Sequence, residues 1–234
     1  MPLHPVTRIV PVVALLLVGA NALEAQACLG LGTPAASSRL LSTTASGTDI
    51  GRTVTARYGL TGERLFGGVH LGAAGGKFVR LDAPVVGGDI GAIIPVGSSG
   101  ATQLCPTLQT SFQNGPQSSS SVQNQLATSL GLSLGRSYKL TGKVQFIPFV
   151  QGGVQYVRQR YGFTSLGVGQ NGEALLGAWG HHNTVFGEMA AGFGLKLNER
   201  LTLTPRYSLP IGQANRPGMY QQNYSLGVTF GIPR

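Results

Sequence analysis

The stretch Tyr220-Gln221-Gln222-Asn223-Tyr224-Ser225-Leu226-Gly227-Val228-Thr229-Phe230-Gly231-Ile232 alternates residue by residue. From Tyr224 onward the even positions are apolar, and the odd positions between them are Ser225, Gly227, Thr229 and Gly231. A period of two sends successive side chains to opposite faces of an extended chain, so this segment is a strand with one apolar and one polar face. The same pattern recurs over 52–60, 65–73, 86–96, 103–112, 125–135, 143–159, 185–197 and 201–211, and more weakly over 39–45. Ten such segments, separated by polar or Gly-rich connections, predict an all-β chain.

Composition narrows the class. Only 11% of the 234 residues are charged, against about 25% in an ordinary soluble protein. Gly supplies 36 residues, which suits strands that bend and approach one another closely. The formal charge is +9, but Lys and Arg are scattered and nowhere form a run of four. Without a basic patch or a recognition motif, no nucleic-acid partner is expected. Anionic lipid headgroups are the natural counterpart of cations dispersed around a rim.

The first residues read as an export signal: Arg8, an apolar stretch over 9–20, and Ala25-Gln26-Ala27 as an A-x-A cleavage site. The apolar stretch is short of the roughly 20 residues a spanning helix needs. A cleaved signal peptide is therefore expected over 1–27, a periplasmic lead-in rich in Gly, Pro and Ser over 28–38, and the folded domain over 39–234. No later stretch is apolar enough for a transmembrane helix, so a place in a membrane requires a closed barrel.

Cys28 and Cys105 are the only cysteines. In an exported chain an even count predicts a disulfide. Two free buried thiols are the alternative. Lipidation of Cys28 is another, opposed by Ala25 standing where a lipoprotein signal carries Leu. The wide separation makes no local zinc site. Gly169-Gln170-Asn171-Gly172 lacks the strand–helix context of a phosphate cradle. No metal and no cofactor is expected.

Loop lengths give orientation. Bacterial single-chain barrels have an even strand count, with short turns on the periplasmic side and longer loops outside. With the last strand descending to the periplasm, short turns at 61–64, 97–101, 136–142 and 198–200 fall there. The connections 74–85, 113–121, 161–183 and 212–218 fall outside. The prediction is a closed antiparallel up-and-down transmembrane β-barrel of ten strands. Eight is the alternative if 39–45 is lead-in and 97–101 is not a hairpin. In the ten-stranded parity Cys105 lies near the periplasmic N-terminus that carries Cys28.

The faces then point in a definite direction. A soluble barrel turns its apolar face inward and carries charges outside. Here the non-apolar face is mostly Gly, Ser, Thr, Gln and Ala, with a few charges of both signs. Arg57, His70, Asp89, Glu188, Lys196 and Arg206 are expected to form a polar network in the lumen, where charges can pair. Aromatics such as Tyr58, Phe112, Tyr156, Tyr207 and Tyr220 suit interfacial girdles.

With its signal, its alternating strands and the ending Tyr-Ser-Leu-Gly-Val-Thr-Phe-Gly over 224–231, the chain resembles the small outer-membrane β-barrels of Gram-negative bacteria, such as the OmpA transmembrane domain and OmpX. The resemblance implies an integral outer-membrane location, lipid and lipopolysaccharide as surroundings, delivery by the barrel-assembly machinery, and a monomer. Family members usually end on an aromatic residue. Phe230 is nearest to that role here, followed by Gly231-Ile232-Pro233-Arg234.

Some barrels of this size are enzymes that use His, Ser or carboxylates at the outer rim. The candidates are His181 and His182 near Glu173 and Glu188, and His70 beside Asp89 as a possible dyad. No motif surrounds them, so solvated rim histidines and a lumen-filling pair are expected, with no catalytic residue. The expected function is a non-enzymatic barrel with a structural or surface-interaction role through its outer loops. A narrow pore for small solutes or ions is the first alternative, and a rim enzyme acting on lipid or peptide the second.

Overall fold

The computed structural model describes residues 27–31, 38–48, 51–76, 81, 83–97, 100–114, 121–162, 179–198, 200–212 and 222–232. Ten antiparallel strands follow in order: β1 Ser38–Gly47, β2 Gly51–Thr61, β3 Leu65–Gly76, β4 Ala83–Ala92 continued by Ile94–Val96, and β5 Thr102–Asn114. Then come β6 Ser121–Arg136 continued by Tyr138–Lys139, β7 Gln145–Gly162, β8 Trp179–Lys196, β9 Leu201–Ile211 and β10 Asn223–Ile232. The two continuations keep the partner and register of the strands they extend. At the break in β4, Ile93 turns its N–H to the carbonyl of Arg64 at 2.8 Å.

Each strand pairs with its neighbour in sequence, and β1 pairs with β10 from Arg39↔Ile232 to Gly47↔Tyr224, so the sheet closes. Closure leaves no edge to template aggregation. The strands tilt as closure requires, typically by about 35–45°. A ring of paired residues that starts at Ser38, the first residue of β1, runs through Thr61, Phe66, Gly91, Thr107, Gly131, Gly153 and Glu188. It has climbed to Pro210, near the far end of β9, after eight steps.

One end of the barrel carries tight turns with local chemistry. Asn198 Oδ1 accepts from the N–H groups of Arg200 and Leu201, both at 2.8 Å, an Asx turn. Thr141 Oγ1 accepts from Val144 N at 3.2 Å. Gly97 and Gly100 adopt positive φ of 79° and 62°, which only Gly adopts without strain. This is the turn end. The other is the loop end, where every connection except 48–50 is longer.

The eight-strand alternative is thereby excluded: β1 is laddered on both sides and the 97–101 hairpin is real. Boundaries differ where polarity rises. The connection predicted over 161–183 is shorter, because β7 and β8 stay paired out to Gly162↔Trp179. Apolar alternation stops at the polar run Arg158–Arg160, but the hydrogen-bond ladder does not. The turn placed at 136–142 shifts toward 140–144 for the same reason.

The outward face is apolar. Leu65 is 62% exposed, Leu71 64%, Leu130 64% and Tyr224 62%. Monomers in water rarely expose a contiguous apolar surface beyond a few hundred Å², and this one encircles the molecule. Aromatics flank it: Phe146 and Phe193 toward the turn end, with ring centroids 5.4 Å apart, and Tyr207 and Tyr224 toward the loop end, 4.8 Å apart. Outward polar groups are satisfied locally, as where Thr110 and Thr128 share a hydrogen bond at 3.3 Å.

The inward face holds a surprise. Instead of small polar residues throughout, Leu40, Phe66, Ile93, Ile147 and Phe149 point inward at the turn end and are buried. They surround Ala27–Leu29, a single 3-10 turn that enters the lumen. Part of the stretch predicted as a periplasmic lead-in is thus barrel core. Of the signal expected over 1–27, residues 1–26 lie outside the described residues, while Ala27 belongs to the buried turn.

Candidate functional site

The lumen divides into a sealed half and an open half. At the turn end Cys28 is bonded to Cys105 on β5, with Cα atoms 5.6 Å apart. That bond occupies the sulfur a lipid would need, so the structure holds Cys28 in the disulfide arrangement. Gln103 Oε1 accepts from Ala27 N at 2.9 Å, and Thr204 Oγ1 on the opposite wall donates to Gly30 O at 3.4 Å. Cys28, Leu29, Phe66, Ile93 and Cys105 pack as one apolar cluster. Ala27, the last residue of the expected signal, is itself fully buried. Two wall glycines make room: a Cβ at Gly135 would fall on the Ala27 carbonyl, and one at Gly194 on the Gly30 carbonyl.

Above this plug lie two ion pairs. Arg57 on β2 reaches across β3 to Asp89 on β4, Nε to Oδ1 at 2.7 Å and Nη2 to Oδ2 at 2.6 Å. The guanidinium passes over Gly68, where a Cβ would lie 2.8 Å from its Cζ. Arg206 on β9 donates to Glu188 on β8 at 2.7 Å. Both pairs sit on the inward face, and the charge-assisted, bidentate form of the first is the stronger geometry. Lys196 is buried at the turn end of β8, in register with Gln145 and Thr202 and apart from both pairs.

His70 is inward and buried beside Gly87. Asp89 is held by both nitrogens of Arg57, and among the described residues no hydrogen bond joins it to His70, so the two are not arranged as a dyad. His181 and His182 are not loop residues as expected; they stand in β8, opposite Arg160 and Gln159. Adjacent residues in a strand point to opposite faces, so the two imidazoles do not converge. Glu173 lies outside the described residues.

Toward the loop end the lumen opens into a cavity of about 370 Å³. Its walls are Gln109, Gln125, Gln151 and Gln155, with Phe186 at one side and the Glu188–Arg206 pair at another. Sequence patterning identified the inward faces but missed the plug. Its signals were the runs Ala92-Ile93-Ile94 and Phe146-Ile147-Pro148-Phe149-Val150, where alternation fails because both faces are apolar.

No family model matches the chain, and no curated protein matches it. Solved structures do. The N-terminal β-barrel domain of Pseudomonas aeruginosa OprF is 13% identical over 83% of this chain and 97% of its own, with a TM-score of 0.38. Ail, the attachment invasion locus protein of Yersinia pestis, is 7% identical over 84% and 99%, with a TM-score of 0.36. The β domain of the Bordetella autotransporter BrkA is 15% identical over 86% and 100%, with a TM-score of 0.40. The solved structures it resembles are outer-membrane β-barrels.

Proposed function

We propose that this chain is an integral outer-membrane barrel of a Gram-negative envelope. In this reading it is closed to solute flow, has no catalytic activity, and serves the envelope through its structure and its outer loops. One observation carries the closed state. The turn-end lumen is filled by a disulfide-tethered segment and five buried apolar side chains. Barrels of about eight strands are filled by their own side chains, and aqueous channels belong to roughly 16 or more; ten strands with an added plug fall on the filled side. The apolar belt between two aromatic levels supports the membrane placement, with lipid and lipopolysaccharide as neighbours, the turn end toward the periplasm and a single chain as the working unit. Phe230, outward and exposed near the turn end, is the residue offered to the assembly machinery.

Planar-bilayer recording tests the closed state. The wild-type protein gives no discrete conductance steps. The double variant Cys28→Ser/Cys105→Ser, with its plug untethered, gives intermittent ones. Regular steps from the oxidised wild type would replace this reading with that of a narrow pore.

A further inference from the structure

The open half of the lumen carries a wall that neither the plug nor the barrel's closure uses. Across β5 to β8, Gln109, Ser129, Gln155 and Phe186 stand side by side in one row of the ladder. The row below, toward the turn end, is Thr107, Gly131, Gly153 and Glu188. Below that stand Ser133, Gln151 and Ala190. The paired glycines add no side chain of their own to the wall, the ends of Gln151 and Thr107 reach over Gly131, and both glycines line the cavity of about 370 Å³. Small-molecule sites run from roughly 300 to 1,000 Å³.

The chemistry of the cavity is specific. Among the described residues no hydrogen bond is made by the carboxamides of Gln109, Gln151 and Gln155, whereas Gln159 Nε2 donates to Gln125 Oε1 at 2.7 Å. A carboxamide both donates and accepts, as a hydroxyl does. The only charged residues lining the cavity among those described are Glu188 and Arg206, and they neutralise each other. Ala127, Val157 and Phe186 make an apolar facet beside the glutamines. We propose that the cavity over Gly131 and Gly153 binds a neutral, hydroxyl-rich molecule of mono- or disaccharide size that enters from the loop end. Gln109, Gln151 and Gln155 bind its hydroxyls. The proposal rests on the closed-barrel reading, in which the plug is the floor of the site.

The test uses the full mature chain, isotopically labelled and folded in detergent micelles. The side-chain amide resonances of glutamine are followed during titration with maltose, sucrose and lactose, and with glucuronate and glucosamine as charged probes. A neutral sugar is expected to give saturable shifts at Gln109, Gln151 and Gln155. Gln155→Leu, which removes one neutral hydrogen bond, weakens the apparent affinity about fivefold. Gly131→Val, which narrows the cavity, weakens it at least as much. There the added Cβ meets the ends of Gln151 and Thr107, at 3.0 and 3.1 Å, and the Gly152 carbonyl at 3.6 Å, so the two side chains must shift to admit it. Gly153 is left intact because a Cβ there would lie 2.6 Å from the Leu130 carbonyl. Heat-modifiable migration on a gel verifies that each variant is folded. The proposal is overturned if none of the three neutral sugars shifts these amides, if both variants bind like the parent, or if only a charged sugar binds. Conductance is recorded separately on the same samples. Channel steps with intact sugar binding remove the closed-barrel reading and keep the site; silence in both removes the site alone.

Discussion

At the scale of single residues, the Arg57–Asp89 pair illustrates what parity reveals and what it hides. Alternation places Arg57, His70 and Asp89 on one inward face from sequence alone. Which of them pair is set by register across three strands, and the chain between Arg57 and Asp89, 32 positions apart, carries no local trace of it. The stability of the pair is a matter of partners. The pair is part-buried, with side chains 18% and 16% exposed, so losing one member costs about 1–3 kcal/mol, less than in a dry core, while replacing both with apolar groups is often near neutral. Asp89→Leu is expected to lower unfolding stability in urea by about that amount, and Arg57→Met/Asp89→Leu to recover most of it, both followed by far-UV circular dichroism. Equal losses in the single and double variants would mean that packing, not charge, holds this wall. The histidines show the same limit: His181 and His182 adjoin in sequence, yet strand geometry sends them apart.

At the scale of elements, the strands were legible and the plug was not. Leu226, Val228 and Phe230 announced β10 because each faces one continuous apolar environment. β1 was faint because Leu40 and Leu41 serve two apolar environments, the plugged lumen and the outer belt, and adjacent apolar residues erase a period of two. The turn Ala27–Leu29 has no pattern of its own. It is held by contacts with β5, β6 and β7, and next to it Gly30 meets β8 and β9, all far from it in sequence. Its seat is nevertheless testable through the wall. Gly194→Val places a side chain where the Gly30 carbonyl lies, so the segment is displaced on that side. Limited proteolysis of the folded variant is expected to cut within residues 27–31, where the wild type resists under the same conditions. Resistance in both would show that the wall yields instead of the plug.

At the scale of the whole molecule, the belt and the lumen make opposite demands on a charge. An Arg facing lipid near the bilayer midplane costs about 2–4 kcal/mol; one facing a wet lumen does not. Leu130→Arg, outward on β6, is expected to lose stability in that range in lipid vesicles. Thr44→Arg, inward on β1, is expected to lose markedly less. If the inward substitution proved the costlier one, the barrel would be turned inside out and the belt would be a contact surface for protein.

The disulfide also constrains time. Cys28 and Cys105 are both 0% exposed, walled in by strands on every side, so an oxidant has no route to either sulfur once β1 has met β10. The N-terminal segment is therefore expected to be joined to β5 before β1 meets β10: oxidation first, closure second. A chain allowed to close under reductant, then returned to oxidising buffer, is expected to keep alkylatable thiols on denaturation long after an unfolded control has lost them.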